Sequence, residues 1–388
     1  MKQIKAYKFQ IKTNGQQVKQ MTQFAGCARK IWNLALAKQQ ATYTAGGKFI
    51  SGIGMNYWLT EFKQDLPYLK QAPSQVLQQV MNNLGESYKR FFNKTSDFPK
   101  FKKKGVSKDS FRFPQGFILE QQNNRIKLPK LGWVKYINSR EVLGTPKNVT
   151  VSSKAGKWFV SIQTEREVET PVHPATSIIG VDLGITRFAT LSDGTFIPPI
   201  NALKKSQDKL AKYQRQMARK QRGSNNWKKA KTKVQKLHVK VANTRNDFLH
   251  KTSSMLSKNH ATIIIEDLKV SKMSQSNQTT LNKSILDQGW GEFRRQLEYK
   301  QSWLGGRVLA VPPYNTSRTC PACDHVSANN RKTQSSFECV ECGFTENADL
   351  VGAINILRAG HARLACQANK DVILSATGTH RSDLVSFN

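Results

Sequence analysis

Three acidic side chains, Asp182, Glu266 and Asp349, are the groups in this chain best placed to do chemistry. Asp182 lies in SIIGVDLGITRFATLSDG, Glu266 in ATIIIEDL and Asp349 in ENADLVGAINIL. In the first two segments a run of β-branched residues delivers a carboxylate to the end of a strand, where burying one charge is costly without a cation. Three carboxylates converging on one point therefore imply metal. Hard oxygen donors select Mg²⁺ or Mn²⁺, and a pair of such ions roughly 3.5–4 Å apart clamps the attacking and leaving oxygens of a phosphodiester. Each acid also has an ordinary reading as a helix cap or a solvated strand end. Asp349 opens a helical pattern with Leu350, Ile354 and Leu357 on one face, so capping competes with ligation there.

The second group is made of thiols. Cys320 and Cys323 flank two residues, Cys339 and Cys342 flank two more, and fifteen residues separate the pairs. This is the spacing of a zinc ribbon, in which each pair forms a tight knuckle and four thiolates complete a tetrahedron; a closed shell of this kind is structural. Disulfides are the alternative, but the chain has only two other cysteines and its first thirty residues lack a signal-peptide core, so zinc is the expectation. Cys27 and Cys366 fall in helix-like patterns and are expected to be small buried apolar residues. Arg318, just before the first knuckle, has two open roles: holding a phosphate at the carboxylates, or bonding the knuckle's carbonyls.

The elements that must carry these groups read as follows. After Asp182, the turn Ser192-Asp193-Gly194 between Phe188–Leu191 and Thr195–Ile197 signals a three-stranded meander. Between Lys204 and Lys251 there are 16 Lys and Arg against two acids, Asp208 and Asp247. Leu203, Leu210, Tyr213 and Met217, and then Val234, Leu237, Val241 and Phe248, recur at heptad spacing, broken by Arg222–Asn226, which predicts a hairpin of two basic amphipathic helices. The whole chain carries 61 Lys and Arg against 26 Asp and Glu, a formal charge of +35, so a polyanion, and nucleic acid first, is the expected partner. Lys272–Asn282 is polar and poor in apolar residues, a candidate lid over the carboxylates.

With 388 residues the chain exceeds one core, and its first half differs in kind. Lys2–Lys12 alternates like a strand, Gln16–Ala45 reads as a helix, and Leu77, Val80, Met81, Leu84, Tyr88 and Phe91 form a second helical stripe. From Phe98 the pattern is β, with Phe111/Phe113, Ile126/Leu128, and Val149–Ser153 set to pair with Lys157–Thr164, which suggests a β-barrel interrupted by a helical insertion. Phe98–Gly105 mixes aromatics with Lys102, Lys103 and Lys104, as nucleic-acid surfaces do, although the rings could equally be core. Tyr57, Gln75, Gln79 and Gln115 are candidates to read base edges, or plain solvated polar residues. No apolar run approaches the roughly 20 residues of a membrane span, and the expectation is a soluble, cytoplasmic protein.

The strand motifs resemble those of RNase H-like nucleases. Over its whole length the chain also resembles the TnpB family of transposon-encoded, RNA-guided DNA endonucleases related to type V CRISPR effectors. GVDLGITRFATLSDG, IIIEDL, NKSILDQGWGEFRRQLEYK, VPPYNTSRTCPAC, FECVECGF and NADLVGAINILRAG carry that resemblance. It implies an α/β and β multidomain chain: a wedge-like β-barrel at 1–14 and 97–172, an inserted helical recognition lobe at 15–96, a RuvC-like nuclease at 173–314 and 347–369, a zinc-ribbon insertion at 315–346 and a tail at 370–388. It implies that Asp182, Glu266 and Asp349 bind Mg²⁺, that the four cysteines bind Zn²⁺, and that a guide RNA from the element's right end pairs with double-stranded target DNA beside a short adjacent motif. A bacterial cytoplasmic protein, meeting the nucleoid when on DNA and monomeric with its RNA, fits this picture. A nuclease-inactive RNA-guided repressor and a strand-transferring transposase are the competing readings. One departure stands out: many relatives follow the third Asp with Asn-Ala-Ala where this chain has Val351-Gly352-Ala353.

Overall fold

The computed structural model describes residues 1–275 and 279–377, with side chains described as far as residue 366. The chain divides into two compact units, Met1–Glu169 and Thr170–Asn388. No helix among the described residues is long and apolar enough to cross a membrane.

The first unit begins with β1 (Lys2–Lys12), whose alternation turns Tyr7, Phe9 and Ile11 inward. Asn14 then starts α1 (Gly15–Thr44) through a capping box, its Oδ1 accepting the Gln17 N–H at 2.8 Å while Gln17 Oε1 accepts the Asn14 N–H at 3.2 Å. The short helices α2 (Gly52–Met55) and α3 (Trp58–Asp65) lead into α4 (Ser74–Phe92), which buries the Leu77–Leu84 stripe expected from its spacing. Six strands follow: β2 (Ser110–Phe113), β3 (Ile118–Glu120), β4 (Arg125–Leu128), β5 (Gly132–Tyr136), β6 (Thr145–Lys154) and β7 (Lys157–Glu167). The sheet order is β2-β6-β7-β1-β5-β4-β3, all antiparallel.

The expected β-barrel is not closed. β1 pairs with β7 along Lys2–Gln10 and passes to β5 only at Ile11 and Lys12, so one strand joins two sheets. The edge strands β2 and β3, four and three residues long, do not pair with each other. Closure would need them to hydrogen-bond; instead the inserted helices cover β2, with Phe24 of α1 edge-on to Phe111 at 5.7 Å. Apolar helix stripes and an open sheet face satisfy one another, which makes closure unnecessary.

The second unit is built on a five-stranded sheet, β10-β9-β8-β11-β12. β8 (Ile178–Leu183), β9 (Ala189–Leu191) and β10 (Phe196–Ile197) form the expected antiparallel meander. α5 (Gln207–Ala218) and α6 (Asn225–Asn259) form the basic hairpin, with Val234, Leu237 and Val241 buried on α6 and nothing fully buried on α5. β11 (Thr262–Glu266) then runs parallel to β8, with its first four residues buried. α7 (Val270–Met273), α8 (Thr279–Gln288) and α9 (Trp290–Leu304) lead to β12 (Arg307–Val311), parallel to β11 on the other side. The expected lid thus overlaps α7 and α8, and its residues 276–278 lie outside the described residues. A small ribbon, β13 (Ser336–Glu338) and β14 (Thr345–Asn347), precedes α10 (Ala348–Thr377). The helix includes the first part of the expected tail; residues 378–388 lie outside the described residues.

Phe293 and Leu297 of α9 and Leu249 and Leu256 of α6 join the core around β8 and β11. α10 lies against β8 and β11 so closely that a Cβ on Gly180 would sit 2.4 Å from the Ala353 carbonyl oxygen, and one on Gly360 would sit 2.0 Å from Ile264 Cδ1. Glycine at both positions lets the helix descend onto the strands. Cys27 is buried as expected, but Cys366 is exposed: it falls on the outward face of α10, so its helical context did not imply burial.

Gly180→Ala is expected to cost about 1–3 kcal/mol through overpacking, lowering the melting temperature by several degrees. Gly291→Ala, where no atom lies within 4 Å, leaves it unchanged or slightly raised. Equal melting curves for the two variants would show that the α10 contact is not tight.

Candidate active site and metal centre

Parallel pairing matches Ile265 to Val181, so Asp182 and Glu266, each one residue further, emerge side by side at the carboxyl ends of β8 and β11. Asp349 arrives from a different element, the first turn of α10. The close descent of that helix brings its next residues to Asp182, and a Cβ on Gly352 would lie 3.1 Å from Asp182 Oδ2. The glycine that departs from the common pattern therefore leaves room beside this carboxylate.

The electrostatics show the groups acting on one another. Burial, and then the charges of Glu266 and Asp349, push the Asp182 carboxyl up to about 7. Glu266 is also raised by burial, partly offset by the Thr316 hydroxyl, which donates to its Oε1 at 2.7 Å, and by Arg331. Asn355 holds the Thr316 segment in place, its Nδ2 donating to the carbonyls of Thr316 at 2.8 Å and Thr319 at 2.7 Å.

Two arginines face Asp349. Arg331 Nη2 lies 3.7 Å from Oδ1 and Arg187 Nη1 lies 4.0 Å from Oδ2. Arg187 is packed on the Phe196 ring at 3.8 Å and donates to Asn347 Oδ1 at 3.1 Å. The same Asn347 oxygen accepts the Asp349 N–H at 3.1 Å, so Arg187, Asn347 and the helix start form one unit.

The four expected cysteines come together. The Sγ atoms of Cys320 and Cys342, and those of Cys323 and Cys339, are 3.6 Å apart, and all four lie within 4.8 Å of one another. A disulfide needs about 2.05 Å. The edge of a tetrahedron with metal–sulfur bonds of about 2.3 Å is close to 3.8 Å, so the cluster suits a tetrahedral ion. Among the described residues it is the one group of three or more His, Cys, Asp or Glu gathered this tightly; the carboxylate oxygens are more widely splayed. Fully buried Asn330 stitches the two knuckles, donating to the carbonyls of Arg318 and His325 at 2.9 and 3.1 Å and accepting the Val340 N–H at 3.0 Å. The next residue is Arg331, so the ribbon sets the position of the arginine that reaches Asp349.

Arg318 contributes its own carbonyl to Asn330 while its side chain is exposed. In the first unit, Gln79 donates to Asn83 at 2.9 Å, and both line a cavity of about 240 Å³ with Arg29, Lys108 and Arg112. Gln75 is half-buried beside Gly116, next to exposed Gln115, and Tyr57 is exposed at the start of α3. Lys103 and Lys104 are exposed. Lys102 differs: its ammonium sits 3.5 Å over the Trp32 ring, and burial holds it down to about 8. Arg331, Arg187, Asn347, Thr316 and Asn330 were absent from the sequence reading. An arginine close after the Asp182 strand and a second inside the Cys₄ loop were the available signals.

Comparison with known proteins places this arrangement. The Probable transposase profile of IS605 OrfB matches residues 161–277, a Cas12f1-like TNB domain matches residues 290–356, and a helix-turn-helix domain matches residues 1–48. That last stretch holds a strand and one continuous 30-residue helix. A solved Cas12f1-sgRNA-target DNA complex shares the fold at a TM-score of 0.54 and 14% identity, over 88% of this chain and 82% of that one. The chain thus has the mixed α/β fold of Cas12f-type effectors, with a four-cysteine insertion beside a carboxylate centre. InsQ of Escherichia coli (strain K12), named for RNA-guided DNA endonuclease activity, is 54% identical over 381 residues, 94% of each chain. A Streptomyces pristinaespiralis protein named for the same activity is 32% identical, over 94% of this chain and 92% of its own. The chain belongs to the TnpB (IS605 OrfB) family.

The raised Asp182 carboxyl has a measurable sign. Between its ordinary value of 3.8 and about 7 the folded chain keeps a proton that the unfolded chain releases, so metal-free stability falls as pH rises through that window. Asp182→Asn, which carries no charge to bury, is expected to gain in melting temperature over the wild type by clearly more at pH 8 than at pH 5, both in chelator. An equal gain at the two pH values would place the stress elsewhere.

Proposed function

We propose that this chain is an RNA-guided DNA endonuclease whose second unit is an RNase H-like, RuvC-type nuclease. The observation that carries the reading is the meeting of Asp182, Glu266 and Asp349 from two parallel strands and a helix start, where burial, reinforced by the charges of Glu266 and Asp349, lifts the Asp182 carboxyl to about 7. Such an excess of carboxylate charge fits divalent cations, Mg²⁺ or Mn²⁺, with these three side chains as ligands. When bound, the ions supply Lewis acidity at the scissile phosphate and a nucleophilic water at neutral pH.

The chain's own groups do the rest. Thr316 orients Glu266 by its hydrogen bond, and Arg187 with Asn347 orients the start of α10. Arg331 offers a guanidinium to a phosphate oxygen at the same place, where charge develops during hydrolysis. The four thiols are assigned to structural zinc, whose binding holds the ribbon and through it Arg331. The basic α5/α6 hairpin is assigned to the phosphates of a guide RNA. Pairing between that RNA and the target supplies sequence discrimination, so the protein needs only a short duplex-reading site, for which Gln75, Gln79, Gln115 and Tyr57 in the helical lobe are candidates.

The test is cleavage of a plasmid library by the chain purified with its RNA, with sequencing of the ends. Asp182→Ala, Glu266→Ala or Asp349→Ala is each expected to abolish cutting while target binding persists. Near wild-type cutting by any of the three removes that residue from the metal site, and binding without cutting by the wild type would favour a repressor.

The ribbon link is tested separately. Cys339→Ser is expected to lose about one zinc per chain by metal analysis and to reduce cleavage as far as Arg331→Ala does, roughly 10²–10³-fold. RNA binding by the hairpin should remain. A zinc-free variant that still cuts normally would detach the ribbon from the chemistry.

A further inference from the structure

Immediately beside Glu266 the chains leaving β11 and β12 part. The Asp267 N–H donates to the Val311 carbonyl at 2.8 Å as a last rung, and beyond it opens a cavity of about 450 Å³. Its apolar walls are Leu268, Pro312, Pro313 and Met273, the last from α7. Two cations stand in the lining, Lys269 and, from α10, Arg363, which donates to the Ala310 carbonyl. The one acid there, Asp267, is paired with Arg294 at 2.5 Å. Lys269 has no side-chain partner among the described residues, and Met273 and both prolines are exposed, so these groups do not serve the core.

Flat apolar walls beside two cations, one of them without a partner, suit a planar base attached to a phosphate. A base removed from its stack is commonly received between apolar side chains. The cavity starts one residue after Glu266 and one residue after Val311, the cross-strand partner of Glu266. We propose that it is a nucleotide subsite: it takes the base that flanks the scissile phosphate in the cut DNA strand, packing it on Pro312, Pro313 and Met273, with Lys269 and Arg363 facing the adjoining phosphate. The proposal rests on the nuclease reading and adds to it a contact that splays the strand so that one phosphodiester lies at the carboxylates. Sequence preference is not required, because every base has a flat apolar face.

The test uses the full chain loaded with its guide RNA and duplex targets carrying a single abasic site at each nucleotide around the mapped cut. The wild type is expected to lose roughly 5- to 100-fold in cleavage rate at one flanking abasic position and little at the others. Met273→Ala, at an exposed side chain that folding does not need, and Lys269→Glu should lose cleavage on intact DNA with target binding unchanged. Met273→Ala should lose nothing more when the flanking base is already absent. Cleavage indifferent to every abasic position, or losses from variant and abasic site that simply multiply, would overturn the subsite and leave the nuclease reading standing. A guide-loaded wild type that cuts no DNA would overturn both.

Discussion

The burial of Asp182 and Glu266 close to a third carboxylate, Asp349, is the constraint on which the centre of the second unit depends. Left to themselves, three partly buried carboxylates push apart or take up protons, and the raised Asp182 carboxyl records that stress. The surrounding fold prevents their escape. Asp182 and Glu266 are fixed by parallel strand pairing in the buried centre of a sheet, and Asp349 by a helix pressed onto that sheet through Gly180 and Gly360. Arg187 and Arg331 offset the charge only in part, from 4.0 and 3.7 Å. The remaining negative potential is what supports the cation site proposed there.

This division explains why a metal-type ribbon sits between β12 and α10. Strands and helices in α/β units are usually joined by only about two to six residues. The cysteine cluster, stitched by Asn330, instead builds a rigid arm whose product at the centre is one guanidinium, that of Arg331. Rigidity matters because a long arginine side chain loses rotamer freedom whenever it is held in one place, and a preformed support meets that cost during folding.

The first unit and the hairpin follow another logic. Backbone recognition needs positive charge over a large area and few exact contacts, and an α5 without a buried residue is compatible with the role proposed for it. Within the first unit charge and packing are mixed: Lys103 and Lys104 face solvent, whereas Lys102 is spent on the Trp32 ring. Three neighbouring lysines of one run thus have two different settings, fixed where the Asn33 side chain on α1 bonds both the N–H and the carbonyl of Lys102.

Much of this was legible from local pattern. The meander after Asp182, the buried β11 strand, the α4 stripe and the knuckle spacing are short-range regularities of period two, period 3.6 or fixed loop length, which the chain states within ten or twenty residues. What had no such signature was decided by tertiary structure. Arg331 and Arg187 are ordinary arginines in loops until the ribbon and the Phe196 ring aim them at Asp349. The expected barrel stayed open because helices from the insertion cover β2, a choice between two ways of burying the same apolar face that alternation alone does not distinguish. Cys366 was exposed because helical context gives a period but not which face meets the core. Local periodicity determines where a side chain points along its own element; only the packing of elements distant in sequence decides what it meets there.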